Sequence, residues 1–232
     1  MSFDYEKIKL FWDTRAERYS ATQSFGTTNL EENKEHQLLK VQCEEEKIND
    51  FTCSLKFDTM LDLGSGLGYW SNYFSHRCNR VVAVEYSEKM TEIAKNIAEQ
   101  NAVNNIEFIT DNILNYSTNE SFDLIFISGV MIYIADEDIT RLLSNIYNYS
   151  KNGTYLLLRD GTGYTKRHHV IDKYSENLKT EYSALYRTSK EYKRIFESVG
   201  FLSLRDEDMF KEGNVLNKYK ETRLRIYLFK RN

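Results

Sequence analysis

Short apolar runs that alternate with amphipathic stretches dominate the chain. Five runs, at residues 60–63, 81–84, 106–109, 122–127 and 153–158, have the length and nearly continuous hydrophobicity of strands covered on both faces of a parallel sheet. Apolar side chains and end signals predict helices over residues 3–20, 29–49, 67–76, 87–100, 136–150 and 188–200. Two further strands are predicted at 201–210 and 223–230, and the alternation in RLRIYLFK is typical of an antiparallel strand. The pattern predicts an α/β fold with right-handed crossovers.

A glycine-rich turn follows the first apolar run, with the spacing Asp62-x-Gly64-x-Gly66-x-Gly68. Glycine accepts positive φ and leaves no Cβ between the main chain and a ligand, and the helix that follows offers free N–H groups. The spacing differs from the G-x-G-x-x-G fingerprint that binds a pyrophosphate, which argues against a dehydrogenase. An acid two residues before the first glycine disfavours a phosphate and suits a ligand with an ammonium group.

Polar residues also end the second and third runs. Glu85 lies 21 residues after Gly64, at a strand end where a carboxylate can accept from both hydroxyls of a ribose. Asp111 and Asn112 end the third run, where they can bind an adenine amino group. Three successive strand ends therefore predict a site for an adenosine that carries an amino acid.

The order and spacing of these motifs resemble the class I S-adenosylmethionine-dependent methyltransferases of the small-molecule type. LDLGSGLGYW is similar to their first motif, VVAVEYS to their second strand, ITDNIL to the adenine-side loop and FDLIFISGVMIYI to the fourth strand with its loop. The resemblance implies a Rossmann-like fold: a seven-stranded, mostly parallel sheet with an antiparallel last strand, N-terminal helices and a lid insertion after strand five. It also implies S-adenosyl-L-methionine as the cofactor and S-adenosyl-L-homocysteine as its product.

In the resembling family the first helix lies over the cofactor and can direct an aromatic or basic side chain at the methionine carboxylate. The loop after the fourth strand passes beside the methyl group. The residues expected at the cofactor are Trp12, Arg15, Tyr19, Asp62, Gly64, Ser65, Gly66, Gly68, Glu85, Tyr86, Met90, Asp111, Asn112, Ile113 and Ser128.

Residues 159–187 are rich in basic and aromatic side chains and follow the fifth strand, where the carboxyl ends of the sheet open. Such a set is suited to holding a phosphate or carboxylate by charge-assisted hydrogen bonds. The residues expected at the substrate are Met131, Tyr133, Arg159, Lys166, Arg167 and Arg187. The candidates for a general base are His168, His169, Asp160 and Tyr133, because a hydroxyl acceptor benefits from a base whereas a neutral amine needs little. The acid triplet of the metal-dependent members is matched only by Asp160, so no metal is expected.

The 232 residues suit one domain, divided into a helical cap (1–52), a cofactor core (53–160), a substrate lid (161–187) and a C-terminal helix with strands (188–232).

The formal charge of −4 hides a balance of −11 in residues 1–150 and +7 in the remainder, which favours a small anionic substrate facing the later segments. The acidic pI of about 5.7 argues against a nucleic-acid partner. The three cysteines have no paired spacing and no run is long enough to span a bilayer, so a cytoplasmic protein is expected, with no membrane insertion. The oligomeric state stays open.

The sequence predicts methyl transfer to a small, phosphorylated or nucleotide-linked acceptor, with oxygen favoured as the target. Residues 159–187 are loosely similar to bacterial methyltransferases associated with surface glycans, which points to capsule or surface-glycan biosynthesis. Two alternatives stay open. One is N-methylation of an amino sugar or another small amine, and the other is a non-catalytic cofactor-binding protein of the same fold.

Overall fold

The computed structural model describes residues 3–17, 33–175 and 180–232. Within these ranges the chain forms six helices and nine strands. The helices are α1 (Tyr5–Glu17), α2 (Lys34–Thr52), α3 (Tyr69–Ser75), α4 (Glu88–Gln100), α5 (Ile139–Asn148) and α6 (Ser189–Glu197). The strands are β1 (Thr59–Leu63), β2 (Arg80–Glu85), β3 (Ile106–Thr110), β4 (Phe122–Ser128), β5 (Ser150–Gly163), β6 (His168–Ser175), β7 (Thr180–Tyr186), β8 (Phe201–Asp208) and β9 (Thr222–Arg231). Two short 3-10 turns, Met131–Tyr133 and Asp136–Asp138, follow β4.

Seven strands form one sheet in the order β3-β2-β1-β4-β5-β9-β8. Strands β1 to β5 pair in parallel, and β9 lies antiparallel between β5 and β8. The last strand is therefore the reversed one, as its alternating sequence predicts. Its position inside the sheet explains why Ile226, Tyr227, Leu228 and Phe229 are all buried. The Rossmann-like fold expected from the sequence is confirmed.

Helices cover both faces of the sheet, so each central strand supplies two hydrophobic cores. On one face, Ile125 and Ile127 of β4 pack with residues of α5 and α6 such as Leu142. On the other face, Leu124 and Phe126 pack with residues of α2 and α3. Burial on both faces accounts for the nearly unbroken apolar runs in the sequence. It also leaves the strand ends, rather than the faces, as places for polar chemistry.

Helix starts follow their capping residues. Ser87 accepts a hydrogen bond from the Met90 amide and caps α4, as the sequence predicts. Thr188 and Glu191 form a reciprocal capping box at the start of α6. In the described part of the chain, α2 begins one residue after Asn33, whose side chain accepts from two helix amides. Among the helices of the described ranges, none combines the length and apolar composition that crossing a membrane requires.

The segment predicted as a lid contains a β-hairpin that is not evident in the sequence pattern. Strand β5 continues beyond Leu158 to Gly163, and β6 and β7 then pair antiparallel as a separate two-stranded sheet. Buried Leu185 of β7 packs with Phe3 and Ala135. The hairpin thus connects the N-terminal residues to the loop after β4, beside the carboxyl ends of β4 and β5.

Candidate active site

The glycine turn after β1 borders open space at one position and is tightly packed at another. Gly64, Gly66 and Gly68 all have positive φ, at 81°, 56° and 74°. A Cβ on Gly64 would lie 2.2 Å from a methyl group of Val130, so only glycine fits there. A Cβ on Gly66 would meet nothing within 4 Å. The main chain at Gly66 therefore faces an open crevice that a ligand can approach closely.

Glu85 is fixed at the edge of this crevice. Its Oε2 accepts from the Gly66 amide at 2.9 Å and its Oε1 accepts from the Ser87 amide at 2.8 Å. The side chain is only 7% exposed, and this burial raises the pKa of Glu85 although both amides oppose the rise. Each carboxylate oxygen keeps a further lone pair, so the group is oriented and can still accept from a ligand hydroxyl.

Asp62 lies behind the turn rather than at the crevice. Its side chain is 1% exposed, and its Oδ2 accepts from the Ser71 hydroxyl of α3 at 2.6 Å. The expectation that Asp62 meets the ligand directly is therefore revised, because the carboxyl group is directed into the interface between β1 and α3. Burial raises the pKa of Asp62 to about 7, and the charge of Glu85 adds to the rise.

The raised pKa of Asp62 predicts that the protein loses stability as the pH rises. The unfolded pKa is about 3.9, so the contribution of this carboxyl to stability is fully present below about pH 4 and is lost as the pH rises to about 7. Asp62→Asn has no such titration. In urea titrations, the free energy of unfolding of Asp62→Asn minus that of the wild type should be up to about 4 kcal/mol larger at pH 8 than at pH 4. Asp58→Asn at an exposed position is the control. A pH-independent difference for Asp62→Asn would contradict the prediction.

The loop after β3 is ordered by its own side chains. Asp111 Oδ1 accepts from the Asn112 amide at 2.7 Å, and Asn112 Oδ1 accepts from the Leu114 amide at 2.9 Å. Asp111 and Asn112 stay partly exposed at the strand end, whereas Ile113 is buried in the main core. Met90 is also buried, and its side chain packs with Ala16 and Leu67. The expectation that this side chain contacts the ligand is therefore revised.

Helix α1 lies across the carboxyl end of β2 and the start of α4. Asp13 accepts from the Ser87 hydroxyl, and Glu6 accepts from the Tyr86 hydroxyl at 2.8 Å. These contacts link the helix to the residues that follow Glu85 directly. Tyr86, expected at the cofactor, therefore uses its hydroxyl to hold α1.

The inner surface of α1 brings two expected cofactor residues to the crevice. The ring of Trp12 meets the ring of Tyr133 edge to face, with 5.7 Å between centroids. Arg15 is buried, and its guanidinium carbon lies 6.0 Å from the Trp12 ring centroid. Tyr19, the third expected residue, lies outside the described residues.

Asp160 holds the loop after β4. Its Oδ2 accepts from the Met131 amide at 2.6 Å and its Oδ1 accepts from the Gly161 amide at 2.7 Å. Burial raises the pKa of Asp160 to about 7. Because the side chain is 0% exposed, the expectation of a base that touches the substrate is revised. Asp160 instead positions the turn that carries Tyr133, and Met131, expected at the substrate, is itself buried in the core.

Arg187 likewise uses its guanidinium for hydrogen bonds within the protein. Its guanidinium donates to the carbonyl oxygens of Met131 at 2.8 Å and Ile134 at 2.7 Å, and to Asp136 Oδ1 at 2.8 Å. The residue is 0% exposed. The expectation that Arg187 binds substrate is therefore corrected: it fixes the end of β7 to the loop after β4.

The other basic residues of the predicted lid differ in exposure. Arg167 forms ion pairs with Asp136 and with Glu191, so its charge is compensated by two carboxylates. Lys166 is exposed. The basic residues expected to bind an anion together therefore do not form one site. Arg187 is buried, Arg167 is paired with carboxylates and Lys166 faces solvent.

The histidine pair separates as adjacent residues of a strand do. His169 is exposed, whereas His168 is partly buried and its ring lies 5.9 Å from the ring of Tyr186. The Tyr186 ring covers Gly161, where a Cβ would approach to 2.7 Å. Tyr182 is a side-chain hydrogen-bond partner of Tyr186 and lies close to Tyr133. Sequence reasoning missed Tyr182 and Tyr186, although their spacing of four along a strand indicates a shared face.

A second group of side chains meets at the ends of β4 and β5 on the α2 face. Ser128 and Arg159 are register partners, and the Arg159 guanidinium donates to Ser128 Oγ at 2.9 Å. The same guanidinium pairs with Glu44 of α2. Glu44 and its neighbour Lys40 were missed because α2 reads as an ordinary charged surface helix.

Residues 60–153 match a protein family described as a methyltransferase domain. The strand order and the reversed β9 of the surrounding sheet are those implied by the class I fold. The chain contains a methyltransferase domain with the class I fold. The methyltransferase domain expected from the sequence is confirmed over residues 60–153.

Two curated relatives illustrate the range of proteins to which the chain is similar. Phosphoethanolamine N-methyltransferase 3 of Arabidopsis thaliana is 23% identical over 168 residues, which cover 71% of this chain and 32% of that protein. 23S rRNA (uracil(1939)-C(5))-methyltransferase RlmD of Acinetobacter baylyi is 32% identical over 177 residues, covering 67% of this chain and 36% of that protein. The chain thus spans about a third of the length of these relatives.

Solved structures of similar fold align along nearly the whole methyltransferase chain. A DhpI complex with SAH has a TM-score of 0.68 and 15% identity and covers 97% of this chain and 96% of its own. The 1,6-didemethyltoxoflavin-N1-methyltransferase of Burkholderia thailandensis has a TM-score of 0.69 and 13% identity, covering 100% of this chain and 92% of its own. These likenesses establish the fold.

The crevice of this methyltransferase domain has features that fit the cofactor. Gly66 offers open space beside the main chain, and Glu85 is an oriented acceptor at the end of β2. Ser65 Oγ is buried and has no hydrogen-bond partner among the residues described. A buried hydroxyl without a partner is costly, so a polar ligand atom at this turn would satisfy it.

Proposed function

We propose that this domain transfers the methyl group of S-adenosylmethionine to a nitrogen atom of a small amine. A cluster of aromatic side chains around a buried carboxylate supports the proposal. Trp12 and Tyr133 are in edge-to-face contact, and Asp160 and Tyr182 both lie close to Tyr133. These residues come from α1, the turn after β4, β5 and β7. The loop after β4 is the one expected to pass beside the methyl group of the cofactor.

Methylation of a neutral amine moves positive charge from the sulfur of the cofactor to the acceptor nitrogen. Aromatic faces stabilise a cation by about 0.5–2 kcal/mol. Asp160 adds a longer-range attraction in its ionised form, which its pKa of about 7 makes available above neutral pH. Burial, followed by the charge of Asp160, raises the pKa of Tyr133, so its hydroxyl stays neutral and can accept a hydrogen bond from the amine. In this mechanism the residues align the nitrogen with the methyl group and exclude water.

An oxygen acceptor held by the basic lid is less well supported. Arg187 is buried against main-chain carbonyls, and Arg167 is paired with two carboxylates. Neither has to bind an anion to satisfy its charge. Two of the similar proteins are named for nitrogen targets, phosphoethanolamine N-methyltransferase 3 and 1,6-didemethyltoxoflavin-N1-methyltransferase, whereas RlmD is named for a carbon target.

For the cofactor, we assign the ribose hydroxyls to Glu85 and the adenine amino group to Asp111 and Asn112. Main-chain groups of Ser65 and Gly66 would lie against the amino-acid part. The orientation of the Glu85 carboxylate by two amides and the open space at Gly66 support this assignment. Arg15 and Trp12 of α1 would cover the same end of the crevice.

The test is a methyl-transfer screen with labelled S-adenosylmethionine. Matched acceptors differ only in the reacting atom, such as ethanolamine and ethylene glycol, phosphoethanolamine and glycol phosphate, or an amino sugar and its hydroxyl counterpart. The amine of a pair should be methylated and the hydroxyl partner should not. Turnover confined to hydroxyl compounds would overturn the nitrogen assignment. Cofactor binding without turnover on any pair would favour the non-catalytic alternative.

Tyr133→Phe should lower kcat for the amine about 10- to 100-fold, because the variant keeps the ring but loses the hydroxyl that orients the nitrogen. The dissociation constant of S-adenosylmethionine should change less than about threefold. The matched control is Tyr147→Phe, which removes a hydroxyl from a half-exposed ring at the end of α5. Equal rates for the two variants would remove Tyr133 from the reaction centre.

A further inference from the structure

Two cations share one carboxylate at the ends of β4 and β5. The Arg159 guanidinium pairs with Glu44 and donates to Ser128 Oγ, and Arg159 is 9% exposed. Lys40 lies one helical turn before Glu44, with its Nζ 3.6 Å from Glu44 Oε1 and its side chain 18% exposed. The cluster therefore holds one more positive charge than negative in a mostly shielded place, and a further anion would balance it.

The same cluster has a donor that the protein does not satisfy. Arg159 Nε is buried and has no hydrogen-bond partner among residues 3–17, 33–175 and 180–232. Burial lowers the pKa of Lys40, and the charges of Arg159 and Lys218 add to the decrease although Glu44 opposes it. An anion at this point would satisfy the free donor and relieve the repulsion between the cations.

The cluster also lies at the start of the loop after β4. Gly129 directly follows Ser128, and a Cβ on Gly129 would meet nothing within 4 Å. The Gly129 amide donates to the Arg159 carbonyl oxygen at 2.8 Å, which ties the open position to the strand that carries the cationic side chain. Asp160, the next residue of β5, is directed to the other face and holds the turn carrying Tyr133.

We propose that Arg159, Lys40 and Ser128 form a subsite for an anionic group of the acceptor, a phosphate or a carboxylate. The inference rests on the proposed function and specifies its substrate class: an amine that also carries an anion. Glu44 holds the two cations together until the anion binds. The planar guanidinium suits two oxygens of such a group, and the ammonium of Lys40 adds a point charge.

The kinetic test compares an acceptor that carries a phosphate with its neutral counterpart, phosphoethanolamine with ethanolamine. In the wild type the phosphorylated amine should have at least a tenfold higher kcat/KM. Lys40→Met and Arg159→Lys should each raise the KM for phosphoethanolamine at least tenfold and change that for ethanolamine less than twofold. Lys47→Met, on the same helix but paired with Glu207, is the control. Equal loss on both acceptors, or no preference for the phosphate in the wild type, would overturn the subsite.

A binding test separates this inference from the proposed function, because it needs no turnover. Thermal unfolding is measured in phosphate and in chloride at equal ionic strength, for the wild type, Lys40→Met and Lys47→Met. Phosphate should raise the unfolding temperature of the wild type and of Lys47→Met by several degrees more than that of Lys40→Met. Equal shifts in all three would overturn the subsite. So would loss of the wild-type shift in saturating S-adenosylhomocysteine, which would assign the cations to the carboxylate of the cofactor.

Discussion

Glu85→Ala is expected to weaken S-adenosylmethionine binding at least about 100-fold. The carboxylate is already oriented by the amides of Gly66 and Ser87, so little entropy is lost when it accepts from the ribose. Two hydrogen bonds to a charged acceptor contribute about 1.5–3 kcal/mol each, and the variant loses both. Isothermal calorimetry with S-adenosylmethionine and S-adenosylhomocysteine measures the loss.

Gly66→Val tests the same crevice by steric means. Its Cβ would enter open space, so no packed neighbour has to move, although the positive φ of 56° adds backbone strain. The side chain would occupy the volume assigned to the cofactor and should weaken binding as strongly as Glu85→Ala. Glu88→Ala, at the exposed start of α4, is the control for removing a nearby acid. Unchanged affinity in both crevice variants would refute the placement of the cofactor.

The cofactor side of the site is readable from the sequence because its parts are local. Each acid follows its own apolar run, and parallel strands bring their carboxyl ends to one edge of the sheet. Glu85 and Asp111 therefore come together once the strands are recognised. The side-chain direction is less predictable: Asp62 belongs to the same motif, yet it is directed at Ser71 behind the turn.

The acceptor side is less readable because its contacts are long-range. Arg187 looks like a substrate ligand when only its charge is known, but its partners lie more than fifty residues earlier in the chain. Lys40 and Glu44 look like an ordinary helical pair until Arg159, from a distant strand, completes the cluster. The excess of basic residues after residue 150 is real, but a net charge does not reveal which cations are already paired.

Arg187→Met should destabilise the protein by about 3 kcal/mol and lower the unfolding temperature by about 6–12 °C. The variant has similar volume but leaves the carbonyl oxygens of Met131 and Ile134 without their donor in a buried place. Urea unfolding followed by fluorescence gives the free energy. Arg167→Met should cost less than about 1 kcal/mol, because Arg167 shares the partner Asp136 but is about one-third exposed and its ion pairs are screened.

Comparing Arg187→Met with Arg167→Met distinguishes two roles for Arg187, binding the substrate and fixing the loop after β4. If Arg187 were a substrate ligand, its removal would spare stability and raise the KM of the acceptor. If Arg187 instead fixes the loop after β4, removing it should lower both stability and kcat. The turn carrying Tyr133 would lose its two main-chain contacts with Arg187 and keep only the contact with Asp160. Arg187→Lys should recover part of the stability, since an ammonium can still donate to one carbonyl oxygen but cannot span both.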